Sequence, residues 1–128
     1  MKFLLDTHVF LWFSAGEERL GEKAYGILED IENEVLLSLA SLWEIAIKAS
    51  LGKLRLKKPF RELIPRQLVG NEIGLLPIQL QHLIALTDLP FHHRDPFDRL
   101  LIAQAIAEDI PILSGDPAFR DYPVQVIW

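Results

Sequence analysis

Carboxylates interrupt apolar sequence at four places in this chain. In "MKFLLDTHVFLWF", Asp6 stands between two runs that both favour burial, with Thr7 and His8 behind it. Glu44 lies inside "LSLASLWEIAIK", Asp95 and Asp98 inside "HHRDPFDRLLIAQA", and Asp116 inside "ILSGDPAF". Taken singly, most have a local explanation. Asp95 followed by Pro96 reads as a helix N-cap with proline at the first helical position, which puts Asp98 at the third. Ser41 and Glu44 have capping-box spacing, and Glu44 can also pair with Lys48 one turn on. Asp116 before Pro117 can cap a short turn, and acids are favourable near helix N-termini in any case. Asp6 fits least well. A lone buried carboxylate is costly and becomes protonated or paired. It either caps a helix starting at Thr7 or shares a cation with the other acids.

Several carboxylates meeting at one place repel each other unless a divalent ion neutralises them. Carboxylate oxygens suit Mg²⁺ or Mn²⁺ and not Zn²⁺. Such a cation activates water and offsets charge on the leaving oxygen of a phosphodiester, and paired ions sit about 3.5–4 Å apart. The pocket would be acidic, the cation would hold the phosphate, and basic residues nearby would hold the flanking backbone.

The elements that must position these acids alternate regularly. Short apolar runs predict strands at Lys2–Leu5, Val35–Ser38, Ile73–Leu76, Ile112–Leu113 and Val124–Ile127. Helical periodicity and stop signals predict helices over Thr7–Ser14, Gly21–Glu32, Ser41–Ser50, Pro59–Val69, Gln79–Thr87 and Pro96–Asp109. Strands of about four residues, apolar on both faces and separated by helices, predict an α/β sandwich around a parallel sheet. Ligands bind such sheets beyond the carboxyl ends of the strands. Asp6 follows the first strand, Asp116 the fourth, and Glu44 and Asp98 lie in early turns of helices, so all four gather at one edge.

The chain has 128 residues, which fits one domain over 1–128, and half of them are hydrophobic. No apolar run approaches the roughly 18 residues of a membrane helix. Asp6 and His8 also break the start of what would otherwise read as a signal peptide, so a protein that stays in the cytoplasm, away from membranes, is expected. There is no cysteine, which excludes disulfides, thiolate metal sites and a thiol nucleophile. The net charge of −5 argues at first against a nucleic-acid partner. However, Lys48 to Arg66 holds seven basic residues against one acid, so that segment carries +6 and the rest −11. It is either a solvated face or a contact for an anionic chain.

With these residues in hand, the sequence closely resembles the PIN-domain family, in particular the VapC-type toxins of toxin–antitoxin modules. The resemblance covers essentially the whole chain and rests on "LLDTHVFLW", "SLASLWEIAIK" with the following "LGKL", "HHRDPFDRLLIAQA" and "ILSGDPAF" in that order. It implies a three-layer α/β/α sandwich with a central parallel sheet of four or five strands. The implied activity is metal-dependent endoribonuclease cleavage that leaves 5′-phosphate and 3′-hydroxyl ends. The family's acidic quartet falls on Asp6, Glu44, Asp98 and Asp116, with Mg²⁺ or Mn²⁺ as the cofactor. Asp95, one turn before Asp98, is a further candidate ligand; as an N-cap its side chain is occupied by backbone N–H groups, which favours Asp98. Ser114 and Thr7 are implied as supporting residues that position metal or water. The implied partners are an RNA substrate, a small antitoxin that blocks the site, and a second copy in a homodimer.

Other residues have weaker readings. His92 and His93 have no serine nucleophile to pair with, and adjacent histidines in a polar loop do not suit a hard cation, so RNA contact or loop structure is expected. Arg94 and Arg99 flank the acids and either bind phosphate or pair with Asp95 and its neighbours. With Lys48 and Lys53 they are the candidate RNA contacts. Trp12, Phe13 and Trp43 sit in apolar runs and are expected to pack rather than stack on bases. The alternative functions are a non-catalytic PIN-like module that binds RNA or protein, and a metal-dependent DNA nuclease. A receiver-type phosphoacceptor is excluded, because the second and third strands end without Asp and no Lys follows Lys58.

Overall fold

A computed structural model describes residues 1–128. Five strands, β1 (Lys2–Leu5), β2 (Glu34–Ser38), β3 (Ile73–Leu76), β4 (Ile112–Leu113) and β5 (Val126–Ile127), form one parallel sheet in the order β3-β2-β1-β4-β5. Six helices cover it: α1 (Thr7–Ala15), α2 (Glu22–Glu29), α3 (Leu39–Ser50), α4 (Phe60–Gly70), α5 (Leu80–Thr87) and α6 (Pro96–Glu108). A short 3₁₀ turn at Pro117–Asp121 precedes β5.

The period-two alternation of the strands divides the core into two layers. Phe3, Leu5, Val35, Leu37 and Leu113 face one side, where Val9 and Phe10 of α1, Ala24 of α2 and Ile64 of α4 pack. Leu4 and Ile112 face the other, against Leu100 to Ala103 of α6 and Phe119. The result is the three-layer sandwich that the sequence predicts. The deepest helix is α6, where all residues from Asp98 to Ala105 are buried. A helix enclosed all round carries apolar residues on every face, which explains why α6 shows little amphipathic bias.

Strand order reverses at β1, because β2 and β3 lie on one side of it and β4 and β5 on the other. The chain therefore leaves β1 and β4 in opposite directions, which opens a crevice at their carboxyl ends. Register sets what stands there. Leu4 pairs with Ile112 and Leu5 with Leu113, so the next residues, Asp6 and Ser114, are neighbours. The Asp6 N–H donates to Leu113 O at 3.0 Å, and the Ser114 N–H to Ile127 O at 3.1 Å.

Three boundaries differ from the sequence reading by two residues or more. Helix α3 starts at Leu39, and its cap is Ser38, whose hydroxyl accepts from the Ala40 N–H at 3.0 Å. Ser41 is therefore inside the helix and forms no capping box with Glu44; an earlier hydroxyl took the cap. Helix α2 stops at Glu29, because Asp30 adopts an extended conformation and its carboxylate accepts from the Glu32 N–H. The last strand is only Val126–Ile127, as far as β4 can pair with it.

Substituting Ser38 by Ala removes the cap on the helix that carries Glu44. Urea unfolding of that variant should show stability lower by about 1 kcal/mol with an unchanged m-value.

Candidate active site

Around Asp98 the crevice at β1 and β4 gathers Asp6, Glu44 and Asp116, near enough to raise its carboxyl, and of the four only Asp98 and Asp116 are already spaced for one ion. Asp6 occupies the cap position of α1 but makes no side-chain cap bond. Its Oδ2 instead accepts from the Ser114 hydroxyl at 2.9 Å, and its Oδ1 is buried without a hydrogen-bond partner. Capping is therefore not what holds Asp6, whose Oδ1 has His8 Nδ1 4.0 Å away. Glu44 projects from α3, only 2% exposed. Its Oε2 accepts from Lys48 Nζ at 2.7 Å, as the one-turn spacing predicts, while its Oε1 is buried and unpartnered. Asp98 sits in the first turn of α6, 8% exposed. Asp116 caps the 3₁₀ turn, with Oδ1 accepting from the Ala118 N–H at 2.9 Å and Oδ2 directed to the site.

Asp95 is the N-cap of α6, as expected. Its Oδ1 accepts from the Phe97 and Asp98 N–H groups at 2.8 and 3.2 Å. This leaves Asp98 as the acid that faces the crevice. Ser114 links two acids, donating to Asp6 while its oxygen accepts from the Asp116 N–H at 3.1 Å. Thr7 is buried and donates to the Ser41 hydroxyl at 2.8 Å, which ties α1 to α3 beside the site.

Electrostatics follow from this crowding. Burial pushes the Asp98 carboxyl up from 3.8 to about 8, with added repulsion from Asp6, Asp95, Glu44 and Asp116. Burial also raises Asp6, opposed by the Ser114 hydrogen bond and by His8. The hydrogen bond to Glu44 holds the Lys48 ammonium above its ordinary value, helped by Asp95 and Asp98. A set of oxygen donors, two of them buried and uncommitted, at a place where anions repel, suits a hard divalent cation.

The structure sharpens the reading of one residue and corrects that of another. His93, assigned there to loop structure or RNA contact, lies among the acids, its Nε2 3.1 Å from Asp98 Oδ2 and 3.4 Å from Asp116 Oδ2. His93, Asp98 and Asp116 form the one group of side chains spaced to hold a metal ion. The local signal was its place two residues before the cap, where its Nδ1 accepts from the Asp95 N–H. Arg99 is not a phosphate contact. It is buried, 7% exposed, and its guanidinium donates to the Pro90 and Leu89 carbonyls at 2.8 and 3.3 Å beneath the ring of Phe91. It closes the loop before α6 from inside.

Lys53 and Arg94 are exposed, and Leu54 and Leu56 anchor the basic segment by packing on the core. Trp12 packs edge-on against Trp128, as expected of an apolar run, whereas Trp43 is 59% exposed and touches Phe97 edge-on. No helix is long and apolar enough to cross a membrane.

A parallel sheet with acids at its switch point defines the class, and the sequence pattern of the PIN domain matches residues 3–125. The chain belongs to the PIN-domain family. Ribonuclease VapC22 of Mycobacterium tuberculosis is 30% identical over 122 residues, covering 93% of this chain and 90% of that protein. Ribonuclease VapC16 of the same organism is 39% identical over 56 residues, 44% of this chain, so the match spans only 38% of that protein. In fold, the chain is similar to VapBC2 from Rickettsia felis bound to a promoter DNA fragment, with TM-score 0.75 at 16% identity, covering 99% of this chain and 98% of that one. It is also similar to FitAcB from Neisseria gonorrhoeae, with TM-score 0.67 at 17% identity, covering 98% and 96%.

The raised Asp98 carboxyl sets a sign for stability. Between pH 3.8 and about 8 the folded chain holds a proton there that the unfolded chain does not, so stability in EDTA should fall as pH rises through that window. Mn²⁺ replaces the proton and should reverse the trend. Urea unfolding across pH, with EDTA or Mn²⁺, checks both; in Asp98→Asn the EDTA slope should flatten.

Proposed function

We propose that this chain is a divalent-metal-dependent endoribonuclease, the toxin of a toxin–antitoxin pair, in which Asp6, Glu44, Asp98 and Asp116 hold Mg²⁺ or Mn²⁺. The observation that carries the reading is the pair of buried, unpartnered oxygens, Asp6 Oδ1 and Glu44 Oε1, beside two further acids. Buried polar atoms in folded proteins are otherwise bonded, and Lys48 answers only the other oxygen of Glu44. The ribonuclease names of the relatives support the same reading.

When bound, the cation supplies water activation and charge neutralisation at the phosphodiester. The chain's own residues do the rest. Ser114 fixes the orientation of Asp6 and joins it to Asp116, so two ligands from adjacent strands keep one geometry. Thr7 and Ser41 lock α1, which follows Asp6, to α3, which carries Glu44. Asp95 keeps α6 capped and Asp98 turned inward. Lys48 sits at the mouth, where its ammonium balances Glu44 and meets the incoming backbone. Lys53 and Arg94 are free to bind flanking phosphates of RNA. No side-chain nucleophile is required, consistent with a chain that lacks cysteine.

The partner we assign to the site is a small antitoxin, because acids that accept a cation also accept a guanidinium. The structural neighbours, solved as toxin–antitoxin complexes, support this. A homodimer in the cytoplasm completes the proposal, supported by exposed apolar side chains such as Leu39, Trp43 and Ile84.

The test is cleavage of a mixed pool of structured RNAs and a matched DNA with Mg²⁺, Mn²⁺ or EDTA. RNA alone should be cut, and cutting should vanish in EDTA and in Asp6→Asn, whose fold stays intact by circular dichroism. Full activity in Asp6→Asn, or equal cutting of DNA, overturns the reading.

A further inference from the structure

His93 is the site residue that the acid quartet does not account for. Three contacts fix its place. Its N–H donates to the Tyr122 hydroxyl at 2.8 Å, and that hydroxyl donates to the Pro90 carbonyl at 2.8 Å. Its ring meets Phe119 edge-on, with centroids 6.0 Å apart. Its Nδ1 accepts from the Asp95 N–H at 3.2 Å. That last bond decides the chemistry of the ring. A nitrogen that accepts has its lone pair engaged and carries no hydrogen, so in the neutral ring the hydrogen is on Nε2.

Nε2 therefore has a hydrogen to give and no lone pair to offer a cation. It is buried, stands 3.1 and 3.4 Å from the Asp98 and Asp116 oxygens, and makes no hydrogen bond to either. Spacing alone groups His93 with the two acids as metal ligands, but the Asp95 N–H argues against that role. The Nε2–H thus has no acceptor, and a cation held by Asp98 and Asp116 would engage the oxygens nearest to it. A buried donor without an acceptor is costly, and the acceptor that arrives at such a site is an oxygen of the scissile phosphate.

We propose that His93 is a substrate-contacting residue: held as an Nε2–H donor by the Asp95 N–H, it donates to a non-bridging oxygen of the scissile phosphate between Asp98 and Asp116, and does not ligate the cation. This rests on the ribonuclease reading. The donor stabilises charge that develops on the phosphate as the bond to the leaving oxygen breaks, and no proton is transferred.

Three measurements test it. In wild type, ring ¹⁵N spectra of histidine-labelled protein in EDTA should show His93 as the Nε2–H tautomer; an Nδ1–H tautomer overturns the proposal without any variant. With the RNA cut in the pool assay, His93→Ala should lower kcat about 10²-fold with a smaller change in KM, and His93→Gln, which keeps an N–H donor, should recover part of the loss. Mn²⁺ affinity by calorimetry should stay within about threefold of wild type in both variants, whereas the removal of a true ligand costs about tenfold or more. Unchanged kcat in His93→Ala, or Mn²⁺ affinity reduced tenfold, overturns the proposal. Wild type that cuts no RNA overturns the underlying reading instead, a result distinct from a wild type that cuts and a His93→Ala that cuts equally well.

Discussion

Repulsion among buried carboxylates is the constraint on which this structure turns. Asp6, Glu44 and Asp98 are each nearly closed off from water, and Asp116 faces them. Isolated, such groups would take up protons or push the elements apart. The fold holds them by strand register and helix caps. Asp6 is fixed by its register against β4, Asp98 by a helix capped at Asp95, and Glu44 by a helix capped at Ser38. Hydroxyls then do what a second set of charges would do poorly. Ser114 bridges Asp6 and Asp116, and Thr7 joins Ser41, without adding charge to a crevice already negative.

Most of the fold was legible because its strands are short, apolar and buried on both faces, and each is followed by a stop or cap signal. All five strands and six helices lie where periodicity put them, give or take a few residues. The misplaced boundary at α3 has a physical cause. Ser38 and Ser41 both satisfy the cap chemistry, and only the end of β2 decides between them. The sheet order was not legible at all, since strands this short do not state their neighbours.

The acids were legible for a different reason. Each breaks an apolar pattern, and the rule for parallel sheets puts strand ends together. Their grouping around Asp98 follows from that rule. Arg99 was read wrongly and His93 only coarsely, as loop structure or RNA contact, because their surroundings are set by tertiary contacts. Arg99 looks like a surface charge in sequence, yet the carbonyls of Leu89 and Pro90 take it inside. His93 looks like half of a loop dipeptide, yet Tyr122, twenty-nine residues away, turns it inward while His92 stays out against the Tyr122 ring.

The buried guanidinium of Arg99 has a mechanical consequence. It grows from α6 one residue after Asp98 and grips the backbone at 89 and 90, while Tyr122 grips the same carbonyl of Pro90 and the main chain of His93. The loop carrying the imidazole is thus fastened to the helix carrying the acid, so the two travel as one body. Breathing of the sandwich that shifts α6 carries the histidine with it, and the spacing between donor and carboxylate survives motions that would scatter residues mounted on separate supports.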